Sequence, residues 1–130
     1  MVEKLTVLIA DDDVEYVERA AAELEERGLT VALAASVESV FRFLETTPVD
    51  VVVLDNMMPG AVGVDVMKSL RDAFPSVAVV ILSGYANINT AIATMEEGAF
   101  DYLVKPVKPD ELLFRIQDAY RAKRVDGFPV

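Results

Sequence analysis

The fold of this chain follows from one apolar stretch, Val49-Asp50-Val51-Val52-Val53-Leu54-Asp55-Asn56-Met57-Met58-Pro59-Gly60. Its run of β-branched and aliphatic residues is too short for an ordinary helix and is closed by a Pro-Gly pair, so it predicts a strand. The run lacks polar alternation, which is typical of a strand buried on both faces in a parallel sheet. Parallel sheets bind ligands beyond the carboxyl ends of their strands, so we expect chemistry at Asp55.

The rest of the chain alternates strand-like with helix-like segments. Further strands are predicted at 5–10, 30–34, 77–82 and 100–104, and a helix follows each of the five strands. This alternation predicts an α/β fold, a doubly wound five-stranded parallel sheet with five helices. We expect the apolar residues of the fourth helix to lie in the core; they are Ile88, Ala91, Ile92 and Met95.

Composition narrows the class of protein. A chain of 130 residues with 53% hydrophobic residues suits one compact domain, and its longest apolar runs are too short to cross a membrane. The net charge of −10 argues against direct nucleic-acid binding, which needs clustered positive charge. No cysteine or histidine is present, so a phosphohistidine donor would have to be another protein. We see no secretion signal and expect a cytoplasmic location.

Polar residues stand at four strand exits of this otherwise apolar pattern. Strand exits of a parallel sheet share one edge, so we expect these side chains to converge. The acids and the lysine sum to a charge of −2, which one magnesium ion would neutralise. We expect Asp55 to accept a phosphoryl group, with a hydroxyl and an ammonium as donors to it. The converging residues are Asp11, Asp12, Asp55, Ser83 and Lys105.

From about Leu5 to Arg124 the sequence resembles the receiver domain of two-component response regulators. Four segments carry the resemblance, in order and at family-like spacing. They are Leu8-Ile9-Ala10-Asp11-Asp12-Asp13, Val53-Leu54-Asp55-Asn56-Met57-Met58-Pro59-Gly60, Ile81-Leu82-Ser83-Gly84-Tyr85, and Gly98-Ala99-Phe100-Asp101-Tyr102-Leu103-Val104-Lys105-Pro106. The resemblance implies a flavodoxin-like sheet with strand order 2-1-3-4-5. It also implies a phosphorylation-activated signalling switch rather than an enzyme.

The resemblance further implies a role for each acid. Asp55 is the phosphoacceptor and a ligand of magnesium, and Asp12 is the other direct carboxylate ligand. Met57 would bind the metal through its backbone carbonyl only. Asp11 would lie beside the metal ligands without binding the metal directly. Asp13 adds a third acid to the pair, which we interpret as a helix N-cap, although it could share the field of the metal.

The resemblance also implies how the switch works. A cis peptide before Pro106 would aim Lys105 at the site. Ser83 and Lys105 would bind the phosphate, and movement of Ser83 would let Tyr102, at the family's switch-aromatic position, turn inward. This would change the surface formed by the fourth helix, fifth strand and fifth helix.

Partners are implied in the same way. A sensor histidine kinase or a phosphotransfer protein would supply the phosphoryl group, and the altered surface would bind partners or a second copy of the chain. We expect residues 1–124 to form the receiver domain and 125–130 a tail, or the start of a linker to an effector domain. No contact with membrane or nucleic acid is expected.

Two positions depart from the commonest family pattern near the expected phosphate. Met57 and Tyr85 are bulky where relatives often have polar groups. We predict that they hinder attack by water and lengthen the life of the phosphoryl group. Val62 stands where many relatives have an acid, which matters little for the chemistry.

Other functions stay open at this point. In a haloacid dehalogenase-type phosphohydrolase, Asp11 would be the nucleophile and Asp13 the acid/base, but Glu15 is unusual there and Asp55 would have no role. A phosphorylation-independent interaction module is a third interpretation. Flavin binding is poorly supported, because no Ser/Thr-rich loop follows the first strand.

Overall fold

A five-stranded parallel sheet forms the centre of the molecule, as predicted. The computed structural model describes residues 4–58, 61–85 and 87–127. The strands of the sheet are β1 (Thr6–Ala10), β2 (Thr30–Ala34), β3 (Val51–Asp55), β6 (Ala78–Ser83) and β7 (Asp101–Val104). They have the order β2-β1-β3-β6-β7, which is the predicted order 2-1-3-4-5 once a small separate ribbon, β4 (Met57–Met58) and β5 (Ala61–Val62), is set aside.

Five helices cover the two faces of the sheet. Side chains of α1 and α5 pack with Val51 and Val53 of β3, whereas α2 and α3 pack with Val52 and Leu54. Successive β3 residues therefore belong to opposite cores, which is why the strand is apolar throughout. The helices are α1 (Val14–Glu26), α2 (Val37–Thr46), α3 (Gly63–Ala73), α4 (Ile88–Glu96) and α5 (Pro109–Gly127).

A short ribbon between β3 and α3 escaped sequence analysis. Strand β4 (Met57–Met58) pairs antiparallel with β5 (Ala61–Val62). The two residues between these strands, Pro59 and Gly60, lie outside the described residues. Two-residue strands have no periodicity to detect, so only the folded backbone reveals them.

The expectation that the apolar residues of α4 lie in the core is wrong. Ile88 is 75% exposed, Ile92 is 52% exposed and Met95 is 42% exposed. The fully buried residue of this helix is Thr94, whose hydroxyl donates to the carbonyl oxygens of Thr90 and Ala91. Because that local hydrogen bonding satisfies the threonine hydroxyl, this polar residue can be buried while the larger apolar side chains are exposed.

The last helix is longer than expected. It continues to Gly127, into the segment assigned to the tail, and residues 128–130 lie outside the described part. Among the described helices, none combines the length and apolar character needed to cross a membrane.

Candidate functional site

Three carboxylates converge at the carboxyl edge of the sheet. Asp11 and Asp12 follow β1, and Asp55 ends β3, which lies beside β1. One oxygen from each carboxylate lies within 4.8 Å of the others. Asp11 is 2% exposed, while Asp12 faces solvent. The topology therefore brings together acids that are far apart in the sequence.

The loop after β1 fixes the orientation of these acids. The Asp11 carboxylate accepts a hydrogen bond from the Asp13 N–H at 2.9 Å. Asp13 is the N-cap of α1 and accepts from the Tyr16 N–H at 3.2 Å. Asp13 is thus engaged with the start of the helix, as its interpretation as a cap requires.

Lys105 reaches this cluster from the end of β7. Its ammonium donates to Asp11 Oδ2 at 2.6 Å, and its backbone N–H donates to the Ser83 carbonyl at 2.7 Å. The peptide bond between Lys105 and Pro106 is cis. The lysine side chain is mostly buried and its partner is buried almost completely, so this is an ion pair shielded from water.

Charge and burial shift the pKa values of this cluster. Burial, and next the negative charge of Asp11, raise the pKa of Asp55 to about 6, while the Met57 N–H and Lys105 act in the opposite direction. Burial by itself would lower the pKa of Lys105, but its hydrogen bond to Asp11 and the nearby carboxylates outweigh that effect and raise it. The negative charge of Asp55 is thus disfavoured by burial and by Asp11, and a bound cation would stabilise it.

Ser83 and Tyr102 lie on the neighbouring strands. Ser83, at the end of β6, is fully buried, and its Oγ accepts from the Tyr85 N–H at 3.1 Å. The Tyr102 hydroxyl donates to the Tyr85 carbonyl at 3.3 Å. Tyr85 is therefore the backbone link between the serine and the aromatic residue, and its own side chain is largely exposed.

The donor set suits a hard divalent cation. Carboxylate oxygens are preferred ligands of such ions, and an octahedral magnesium ion with bonds of about 2.1 Å needs ligand oxygens no more than about 4.2 Å apart. The three carboxylate oxygens lie within 4.8 Å of one another, a bound slightly larger than this limit. The Met57 N–H donates to Asp55 Oδ1 at 3.3 Å, which brings the Met57 backbone beside the acid.

Two residues near the site carried no signal in the sequence. The Tyr16 ring lies under the Lys105 ammonium, 4.7 Å from Nζ to the ring centroid. The buried Asn56 amide oxygen lacks a hydrogen-bond partner among the described residues and lies against Gly63. Both contacts join separate segments, so composition and spacing could not reveal them.

Known proteins share this architecture and this sequence pattern. The family model of the response regulator receiver domain matches residues 7–117. The acid tolerance regulatory protein ActR of Rhizobium meliloti is 35% identical over 83% of this chain and 56% of its own length. The transcriptional regulatory protein ZraR of Klebsiella oxytoca is 30% identical over 98% of this chain and 29% of its own length.

Solved structures show the same similarity. A response regulator receiver domain protein from Clostridium thermocellum superposes with a TM-score of 0.86 at 34% identity, covering 93% of this chain and 98% of that one. The chain belongs to the response regulator receiver domain family, a family of signalling domains. It spans only 56% of ActR and 29% of ZraR, so the match concerns one domain of those regulators.

Proposed function

We propose that this domain is a switch driven by phosphorylation of Asp55. The convergence of three carboxylates with a buried lysine at one sheet edge carries the proposal. We propose that Asp12, Asp55 and the Met57 carbonyl hold a magnesium ion, and that Asp11 lies beside these ligands without binding the ion directly. A bound magnesium ion would supply positive charge to offset repulsion between the carboxylates and an incoming phosphoryl group.

The chain's own groups carry out the transfer. At neutral pH most of the Asp55 carboxylate is ionised, since its pKa is about 6. One of its oxygens forms a bond to phosphorus while the bond between phosphorus and the donor breaks. Lys105 and the Ser83 hydroxyl then donate hydrogen bonds to the phosphoryl oxygens.

The same contacts would drive the switch. Each charge-assisted hydrogen bond is worth about 1.5–3 kcal/mol, and about 5.5 kcal/mol turns a two-state equilibrium from 1:99 to 99:1. As Ser83 moves to the phosphate, its bond to the Tyr85 N–H is released. Tyr102 bonds to the carbonyl of the same residue, so this release frees the ring to turn inward.

The family and an exposed apolar surface indicate which partners this domain binds. We infer that a histidine kinase or phosphotransfer protein donates the phosphoryl group in the cytoplasm, and that an effector domain reads the switch, as the length of the relatives suggests. A second copy of the chain would dock on the outward face of α4, β7 and α5. This face exposes apolar side chains that a dimer would bury, namely Ile88, Ile92, Met95 and Val104.

Intact mass spectrometry tests the phosphoacceptor. With magnesium and a small acyl phosphate, the parent should gain one phosphoryl group and Asp55→Asn none, while Asp11→Asn keeps part of the reaction. Loss of the adduct in Asp11→Asn but not in Asp55→Asn would instead favour the phosphohydrolase. If the parent is not modified, the remaining hypothesis is an interaction module that works without phosphorylation.

Sedimentation tests the docking surface. Phosphorylation should raise the mass of the parent toward that of a dimer, and Ile92→Glu should prevent this without reducing phosphorylation. A variant that dimerises as well as the parent would remove this face from the proposal.

A further inference from the structure

Two groups contact the Lys105 ammonium, a carboxylate and an aromatic ring. Asp11 Oδ2 accepts its hydrogen bond at 2.6 Å, and the centroid of the Tyr16 ring lies 4.7 Å from Nζ. A cation at that distance over an aromatic face is attracted by the negative charge of the ring face. The described ion pair of Lys105 is thus with Asp11, while Asp55 acts on it from further away.

The position of Tyr16 is itself fixed. Its N–H donates to the Asp13 cap, which sets its place in the first turn of α1. Its half-buried ring packs against the α1–α5 core and lines a small groove together with Pro106, Val107 and Leu112. A ring held by both backbone and packing presents the same face to the lysine without further loss of rotamer entropy.

We propose that Tyr16 is a positioning residue that keeps Lys105 beside Asp11 and opposes its movement to a phosphoryl group on Asp55. The inference rests on the proposed function of Lys105 as a phosphate ligand. In this proposal, movement of the Lys105 ammonium from Asp11 to the phosphoryl oxygens weakens its contact with the ring. The attraction to the ring therefore favours the resting state over the phosphorylated one.

The expected effect of removing the Tyr16 ring on the equilibrium between the resting and phosphoryl-bound states is modest, and its direction is defined. At the lower end of the range for cation–π contacts, as the half-buried Tyr16 ring suggests, this contact corresponds to a change of about two- to fivefold in an equilibrium constant. Tyr16→Leu removes the aromatic face and keeps apolar bulk, so it should favour the phosphoryl-bound state by that factor. Tyr16→Phe keeps the face and should restore the behaviour of the parent.

The resting contact is tested first, without any phosphoryl ligand. In protein labelled at the lysine Cε, the Lys105 signal, assigned by its loss in Lys105→Met, should show an upfield ring-current shift. Tyr16→Leu should abolish this shift and Tyr16→Phe should retain it. An unchanged Lys105 signal in Tyr16→Leu would overturn the inference at its geometric basis.

Beryllofluoride, which binds carboxylates as a phosphoryl mimic, tests the consequence in the presence of magnesium. Tyr16→Leu should bind it about two- to fivefold more tightly than the parent, and this gain should vanish in a Lys105→Met background. Tyr120→Leu is the matched control, because Tyr120 also lies under a cation, Arg124, at the far end of α5. Equal or weaker binding by Tyr16→Leu would overturn the inference.

Failure of the proposed function is recognised separately. If the parent does not bind beryllofluoride, or if Asp55→Asn binds it equally well, the proposed function is refuted, and so is the inference that depends on it. The Lys105 signal still reports whether the resting contact exists. Thermal unfolding verifies that each variant is folded, and Tyr16→Met replaces Tyr16→Leu if the latter is not.

Discussion

Asp55→Asn should make the domain more stable at neutral pH, although it removes the proposed phosphoacceptor. The ordinary pKa of this carboxyl is 3.8, and burial together with the charge of Asp11 raises it to about 6 in the folded protein. The folded state therefore binds the proton more tightly than the unfolded chain does. The resulting stability is complete below about pH 4 and is lost as the pH rises through 6.

The magnitude follows from the difference between the two pKa values. A difference of about 2 corresponds to about 3 kcal/mol at most, and solvent screening of the half-buried side chain reduces this to about 1 kcal/mol. Asparagine cannot ionise, so the variant escapes the penalty that the parent suffers above pH 6. We expect its melting temperature to exceed that of the parent by about 3–5 °C at pH 7.5 and by nearly nothing at pH 4.

Thermal unfolding from pH 4 to pH 8 in the absence of divalent ions measures this effect. Glu45→Gln, which removes a carboxylate from the exposed end of α2, is the charge-matched control and should show no such pH profile. Magnesium chloride should raise the melting temperature of the parent more than that of Asp55→Asn. An Asp55→Asn variant no more stable than the parent at pH 7.5, or with a difference constant across this range, would refute the reasoning.

Three further predictions concern neighbouring residues. Gly63→Ala should destabilise the domain by about 1–3 kcal/mol in urea unfolding, because the added Cβ would overlap the buried Asn56 amide oxygen. Lys105→Met should raise the pKa of Asp55 above 6, since the lysine lowers it, and carbonyl NMR titration measures this shift. Met57→Asn should lose phosphate from Asp55 severalfold faster than the parent, because the exposed methionine side chain beside the acid would no longer obstruct water; timed intact mass follows the loss.

Each of these predictions has a contrasting outcome. Gly84→Ala is the control for Gly63→Ala, since a Cβ at Gly84 meets nothing within 4 Å, and equal costs at both glycines would contradict the overlap. A carboxyl titration that stays at or below its parent value in Lys105→Met would show that the lysine does not act on Asp55. Phosphate loss from Met57→Asn no faster than from the parent would remove the shielding role.

The course of the sheet was predictable because it depends on patterns within single segments. Val51, Val52, Val53 and Leu54 alternate between the two cores, and a run with no polar residue among them has few other places to lie. The helix cap at Asp13 was predictable for the same reason, because Asp13 accepts from the Tyr16 N–H only three residues away. Such features need no knowledge of the rest of the chain.

Helix α4 shows where a local pattern misleads. The apolar residues Ile88, Ile92 and Met95 have helical spacing, which normally indicates a core face. Which face of a helix turns inward also depends on the space left by its neighbours, and here Thr94 is the residue that is fully buried. The sequence pattern identified the helix but not its rotation.

By itself, the sequence determined the five strands of the main sheet, the five helices and the polar residues at the strand exits, because hydrophobic periodicity and chain direction are local properties. Only the tertiary structure decided which side chains meet there. Lys105 donates a hydrogen bond to Asp11 and lies over the Tyr16 ring. The Tyr102 hydroxyl donates to the Tyr85 carbonyl. These contacts join segments that are distant in the chain, and their distances depend on how the helices pack on the twisted sheet.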